Sequence, residues 1–129
     1  MTQPLRYILV GLGNMGQVWA SSTLPRLAAL GKAIPVAAVD TSPETFRQAS
    51  AHLNLPEEHC YTDVNRACAA HSADFGIVVV PPAQHEEIVE ACLAHDMHIL
   101  SEKPIADTMD GSCRIYSKVI KVGKKMAVT

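Results

Sequence analysis

The sequence predicts an α/β protein built on a doubly wound parallel sheet of six strands, in the order 3-2-1-4-5-6, with helices on both faces. Three observations predict it. Short apolar blocks rich in β-branched residues alternate with helix-period blocks from one end of the chain to the other. The strongest block, Phe75–Val80 (FGIVVV), shows no polar alternation, as expected of a strand buried on both faces. The segments between most strands are long enough for a helix, which makes the connections βαβ crossovers and the sheet parallel.

The elements follow in order. Arg6–Val10 (RYILV) is a first strand that stops at Gly11. Residues 14–30 have the spacing of a helix that Pro25 kinks or interrupts and Gly31 closes. Ile34–Val39 (IPVAAV) is a second strand, ending at Asp40. Ser42 then caps a helix with Pro43 at its first position, running to about Leu53. Residues 60–62 form a short third strand, and Asp63 caps a small helix through Ala70. After the fourth strand, Pro81-Pro82 stops the ladder, and residues 86–95 return to helical spacing. Residues 97–100 (MHIL) are a fifth strand. Asp107 caps a last helix whose apolar stripe is Met109, Cys113, Tyr116 and Ile120, and Gly123 ends it. Residues 125–128 (KMAV) supply the sixth strand.

Composition narrows the function classes. The 129 residues are 48% apolar and 19% charged, which suits a single domain with its own core. A formal charge of −2 gives no field for nucleic acid or an anionic membrane. No apolar run reaches the roughly 18 residues of a membrane span, and the first residues lack a signal-peptide pattern, so a soluble cytoplasmic protein is expected. Cys60, Cys68, Cys92 and Cys113 are spaced too widely for a thiolate pair, and His95 and His98 straddle a helix end and a strand start. No metal site is expected. The cysteines and Trp19 read as packing residues, and Glu86-Glu87 and Lys124-Lys125 as solvated flanks.

Gly11-Leu12-Gly13-Asn14-Met15-Gly16 is G-x-G-x-x-G, directly after a strand and directly before a helix. In that context each glycine has a separate role. Gly11 permits the tight turn, Gly13 the close approach of a diphosphate, and Gly16 tight helix–strand packing. Amide groups at the helix start and the helix dipole favour an anion there. Asp40, at the end of the second strand, can accept hydrogen bonds from the adenosine ribose and would repel a 2′-phosphate. No arginine stands beside it. The expected cofactor is therefore NAD rather than NADP.

In an open α/β sheet, ligands lie beyond the carboxyl ends of the strands. The fourth strand is followed by Pro81-Pro82-Ala83-Gln84-His85 and the fifth by Ser101-Glu102-Lys103-Pro104. Together with the glycine motif and Asp40, these residues resemble the nucleotide-binding half of the glucose–fructose oxidoreductase/inositol dehydrogenase (Gfo/Idh/MocA) family. The likeness runs over essentially the whole chain, and the E-K-P tripeptide is its most specific part. It implies a Rossmann domain. Lys103 would take part in proton transfer at a substrate hydroxyl, Glu102 would help seat the nicotinamide ribose, and Pro81, Pro82 and His85 would line the cofactor groove. The Lys103–Pro104 bond is expected to be cis.

Asp96 stands where that family usually has glycine, which reads as a loop variation. The family's second, substrate-carrying domain is not found within these residues. The expectation is thus the NAD-binding domain of an oxidoreductase acting on a sugar, polyol or related secondary alcohol, binding cofactor with little turnover on its own. The alternatives are a free-standing dinucleotide-sensing or protein-interaction module, and a different reductase sharing the cofactor site. A small-molecule substrate would require the second domain. The face left bare by its absence is a candidate surface for homo-oligomers.

Overall fold

A computed structural model describes residues 2–129. Its sheet is six-stranded and wholly parallel, in the order β3-β2-β1-β4-β5-β6. The strands are β1 (Leu5–Val10), β2 (Ala33–Val39), β3 (Cys60–Tyr61), β4 (Phe75–Val78), β5 (His98–Ser101) and β6 (Met126–Val128). The helices are α1 (Asn14–Val18), α2 (Leu24–Ala29), α3 (Phe46–Leu53), α4 (Val64–Ala70), α5 (His85–Ala94) and α6 (Met109–Val122). The predicted order and all six strands are present.

Strand alternation sorts the core into two layers. Tyr7 and Leu9 of β1 face one side, with Ala20, Leu24, Ala49 and Leu53 from the helices of the first half. Ile8 and Val10 face the other, with Ala67, Val89 and Ile115 from α4, α5 and α6. The polarity of the sheet thus places every strand's carboxyl end along one edge.

Pro25 does not break the first helix. A π turn (Trp19–Thr23) lies between α1 and α2, and Val18 and Thr23 stay in the right-handed helical region. The proline lacks an N–H and its ring crowds the carbonyl four residues back, so the wider turn just before it absorbs the misfit. Pro35 has a parallel effect in β2: the β1–β2 register slips between Tyr7 and Ile8, opposite a residue that cannot donate to the ladder.

Several local expectations are corrected. Ser42 makes no side-chain cap; its N–H donates to Asp40 Oδ1 at 2.8 Å, and a 3-10 turn (Pro43–Thr45) precedes α3. The last helix is capped by Thr108, whose Oγ1 accepts from Gly111 N–H at 2.9 Å, and not by Asp107. The fourth strand stops at Val78, two residues early.

The stripe expected to bury α6 is the outward one. Met109, Tyr116 and Ile120 are 77%, 68% and 61% exposed and Cys113 is exposed, while Gly111, Ile115 and Val119 face the sheet. Burial of Ile115 and Val119 sets this rotation, and ion pairs accompany it. Arg114 and Lys118 turn toward α5 and grip Glu86 at 2.8 and 3.0 Å, with a further Lys118–Glu90 pair. Helix geometry then carries the Met109–Ile120 stripe away from the sheet. Glu86, read as a solvated flank, is the hub of that network. Asp96 takes the left-handed conformation (φ 63°), tolerable for aspartate, and pairs with Lys124 at 2.7 Å.

The α5–α6 network has a pH signature. Hydrogen bonds from Arg114 and Lys118 lower the Glu86 carboxyl from its ordinary value near 4.5 to about 2. A lowered folded-state pKa adds stability above the unfolded value and loses it as pH falls through the folded value. Denaturant titrations should show a small, salt-screened loss between about pH 4.5 and about pH 2 that Glu86→Gln lacks. An identical pH profile in the variant would show that the network carries no stability.

Candidate functional site

β1 delivers the chain into the Gly11–Gly16 turn against the end of β4. Gly11 has φ 106°, and a Cβ there would sit 2.1 Å from the Val79 carbonyl oxygen. A Cβ on Gly16 would sit 2.0 Å from the Gly11 carbonyl oxygen. Gly16 therefore packs helix start against turn backbone. Gly13 differs: a Cβ there meets nothing within 4 Å, so its outer side is open. Asn14 and Met15 are exposed beside it. The leading amides of a helix have no carbonyl partner within it, so this open side presents donors to an anion.

Asp40 is tied into the same turn. Its Oδ2 accepts from Leu12 N–H at 2.7 Å and its Oδ1 from Ser42 N–H at 2.8 Å. The backbone adds Gly11 N–H to Val39 at 2.8 Å. A carboxylate has about four lone-pair sites, so two remain for hydroxyl groups from a ligand. Leu12 itself is core, 1% exposed, and its N–H is committed to Asp40. It supports the turn through its backbone.

A cleft of about 450 Å³ opens along these strand ends, bounded by Gly11, Gly13, Asp40 and Pro81 and reaching Asp63 and Glu87 at the far side. Glycine turn, acid and first proline thus share one concavity. Pro82, His85, Glu102 and Lys103 do not line it.

His85 is 0% exposed. Its Nε2 lies 2.8 Å from the Val80 carbonyl oxygen and its Nδ1 3.0 Å from that of Ile105. The imidazole lies between the end of β4 and the loop after β5, its one N–H donating to one of these two carbonyls, and any effect on a ligand passes through those backbones. Lys103 is exposed on that loop, and the Lys103–Pro104 bond is cis.

Glu102 is held from two sides. Trp19 Nε1–H donates to Oε1 at 2.9 Å and Thr129 Oγ1–H to Oε2 at 3.0 Å. Those bonds, with the neighbouring Lys103, hold its carboxyl below the usual carboxylate range. Sequence reasoning read Trp19 as packing only. Nothing local signals its partner, which lies 83 positions away. The contribution of β3's end to the cleft was legible only through the strand order.

A family model described as an oxidoreductase family with an NAD-binding Rossmann fold, Gfo/Idh/MocA, matches residues 5–129. The chain belongs to this family. The matched fold is an NAD-binding one.

Among curated relatives, the uncharacterized protein y4oX of Sinorhizobium fredii is 45% identical over 120 residues, covering 93% of this chain and 33% of that protein. An inositol 2-dehydrogenase of Corynebacterium glutamicum is 29% identical over 124 residues, covering 96% and 35%. The chain spans about a third of the length of the curated relatives it matches. The fold is shared with the WlbA dehydrogenase of Bordetella pertussis, solved with NADH and UDP-GlcNAcA (TM-score 0.85, 23% identity, 98% of this chain and 38% of that one). It is shared too with scyllo-inositol dehydrogenase of Lactobacillus casei, solved with NAD(H) and scyllo-inositol (0.80, 20%, 98% and 36%). No described helix is long and apolar enough to cross a membrane.

The backbone contact at Gly16 makes a sharp prediction. Gly16→Ala should destabilise the chain by about 3 kcal/mol, because both atoms in conflict are held by the turn. Gly13→Ala should leave thermal stability within about 0.5 kcal/mol while weakening dinucleotide binding. Equal stability losses in the two variants would contradict the geometry.

Proposed function

We propose that this chain is the cofactor-binding portion of an NAD-dependent oxidoreductase that acts on a sugar, polyol or related secondary alcohol in the cytoplasm. The observation that carries the reading is the Asp40–Leu12 bond. It binds a carboxylate directly to the diphosphate turn, at the end of β2, where an adenosine ribose is received in folds of this kind. The relatives support the substrate class: the C. glutamicum protein is an inositol dehydrogenase and the L. casei protein was solved with scyllo-inositol.

The residues have separate roles. Amides of Gly13, Asn14, Met15 and Gly16 hold the diphosphate, Asp40 accepts the adenosine ribose hydroxyls, and Pro81 bounds the groove. The bound dinucleotide supplies hydride exchange. Lys103 Nζ, exposed beyond β5, passes a proton to or from the substrate oxygen as a general acid/base. Glu102 takes hydroxyls of the second ribose, and His85 fixes the loop that carries Lys103.

Calorimetry tests this directly. NADH should bind saturably and more tightly than NADPH, whose 2′-phosphate meets the Asp40 carboxylate. Asp40→Ala should weaken NADH by about tenfold and narrow the preference. No NADH binding at millimolar cofactor, or unchanged selectivity in the variant, would overturn the reading.

The Met109–Tyr116–Ile120 stripe of α6, expected in the core, is exposed and apolar, and we place self-association of this chain there. Sedimentation equilibrium should show a dimer that Tyr116→Glu disperses. A monomer at high concentration removes it.

A further inference from the structure

Trp19 is the only tryptophan of the chain and opens the π turn between α1 and α2. A π turn sets side chains at angles that an uninterrupted α-helix does not reach, and such turns recur at functional sites. Here the half-buried indole packs on the first core layer while its Nε1–H reaches Glu102 Oε1 at 2.9 Å. Glu102 N–H donates to the Val78 carbonyl at 2.9 Å, so the backbone beneath that carboxylate is also fixed.

Location gives this contact its meaning. The sheet has two mononucleotide halves that meet at β1 and β4. Asp40 ends β2 in the first half, and the diphosphate turn lies at the junction. A dinucleotide laid across that turn extends its second nucleoside over the ends of β4 and β5, where Glu102 stands. With Trp19, Thr129 and the Lys103 backbone N–H on the carboxylate, about one lone pair remains for an incoming hydroxyl.

We infer that Trp19 is a positioning residue for the nicotinamide side of the cofactor, its indole N–H fixing the Glu102 carboxylate in the orientation that receives the second ribose. The role rests on the NAD reading above and deepens it. Tryptophan suits this position because it donates but cannot accept, so it holds an ionised carboxylate and no other state as well. Phenylalanine would keep the packing and lose the donor.

The test compares Trp19→Phe with the unaltered chain, using NADH and ADP as probes. ADP carries the adenosine and the diphosphate but no second ribose. Trp19→Phe should weaken NADH by about tenfold and leave ADP within about twofold. Equal weakening of both ligands would mark a purely structural residue, and unchanged NADH affinity would remove the role; either overturns the inference. A cofactor-free measurement separates it from the NAD reading. As pH falls, emission from Trp19 should change when Glu102 protonates, with a midpoint below the ordinary carboxylate range, and Glu102→Gln should abolish that step. Emission that titrates identically in Glu102→Gln overturns the contact itself. An intact emission step in a chain that does not bind NADH overturns the NAD reading and the cofactor role together, leaving the contact.

Discussion

Three stretches of backbone meet at Gly11 with no room for a side chain: the end of β1, the Val79 carbonyl beyond β4, and Gly16 at the start of the first helix. Close-packed interiors tolerate such contacts only where a Cβ is missing, and the Gly11–Gly16 spacing supplies the two gaps at the required places. The consequence is positional. The first helix begins directly over the junction of β1 and β4, so its leading amides face outward at the strand ends. Asp40 completes the arrangement by binding Leu12 N–H from the neighbouring strand. Fold and site are thus one construction: the contact that closes the sheet against the helix is the contact that aims the donors.

From that junction the two halves of the sheet take different burdens. The β2 side offers a carboxylate already ordered by two amides, in a cleft of about 450 Å³. The β4–β5 side is organised by polar contacts: the buried His85 ring between the Val80 and Ile105 carbonyls, and Trp19 with Glu102. Both of these reach across elements that the glycine turn has brought together. Buried or half-buried polar groups of this kind fix one geometry because the unpaired alternative is costly.

Much of this was legible in the residues. Apolar blocks separated by helix-length segments implied the parallel topology, and Gly11 and Asp40 marked the ends of β1 and β2, because glycine and a strand-end acid each act on the nearby backbone. Readings failed where the deciding force was distant or where neighbours competed for one role. The α6 stripe was read correctly as helical but assigned to the core. The buried face is Gly111, Ile115 and Val119, with Arg114 and Lys118 paired to Glu86 and Glu90 on α5, and periodicity within α6 alone does not choose between the two apolar stripes. Asp107 and Thr108 are adjacent and both suited to capping, and only the path of the chain decides between them. Ser42 looked like a cap, yet the carboxylate two residues earlier takes its N–H. Trp19 was visible as a large ring on a helix, but its donor function depends on a partner 83 residues away.

The central claim is that the open side of the glycine turn and the Asp40 carboxylate form one surface for a dinucleotide. Amide NMR spectra of the chain titrated with NAD+ address it most directly. The account predicts the largest shifts at Gly13–Gly16 and at Asp40–Ser42, with a second group at Glu102 and Lys103. Shifts confined to another surface, such as the exposed face of α6, with the Gly11–Gly16 amides unmoved, would contradict it.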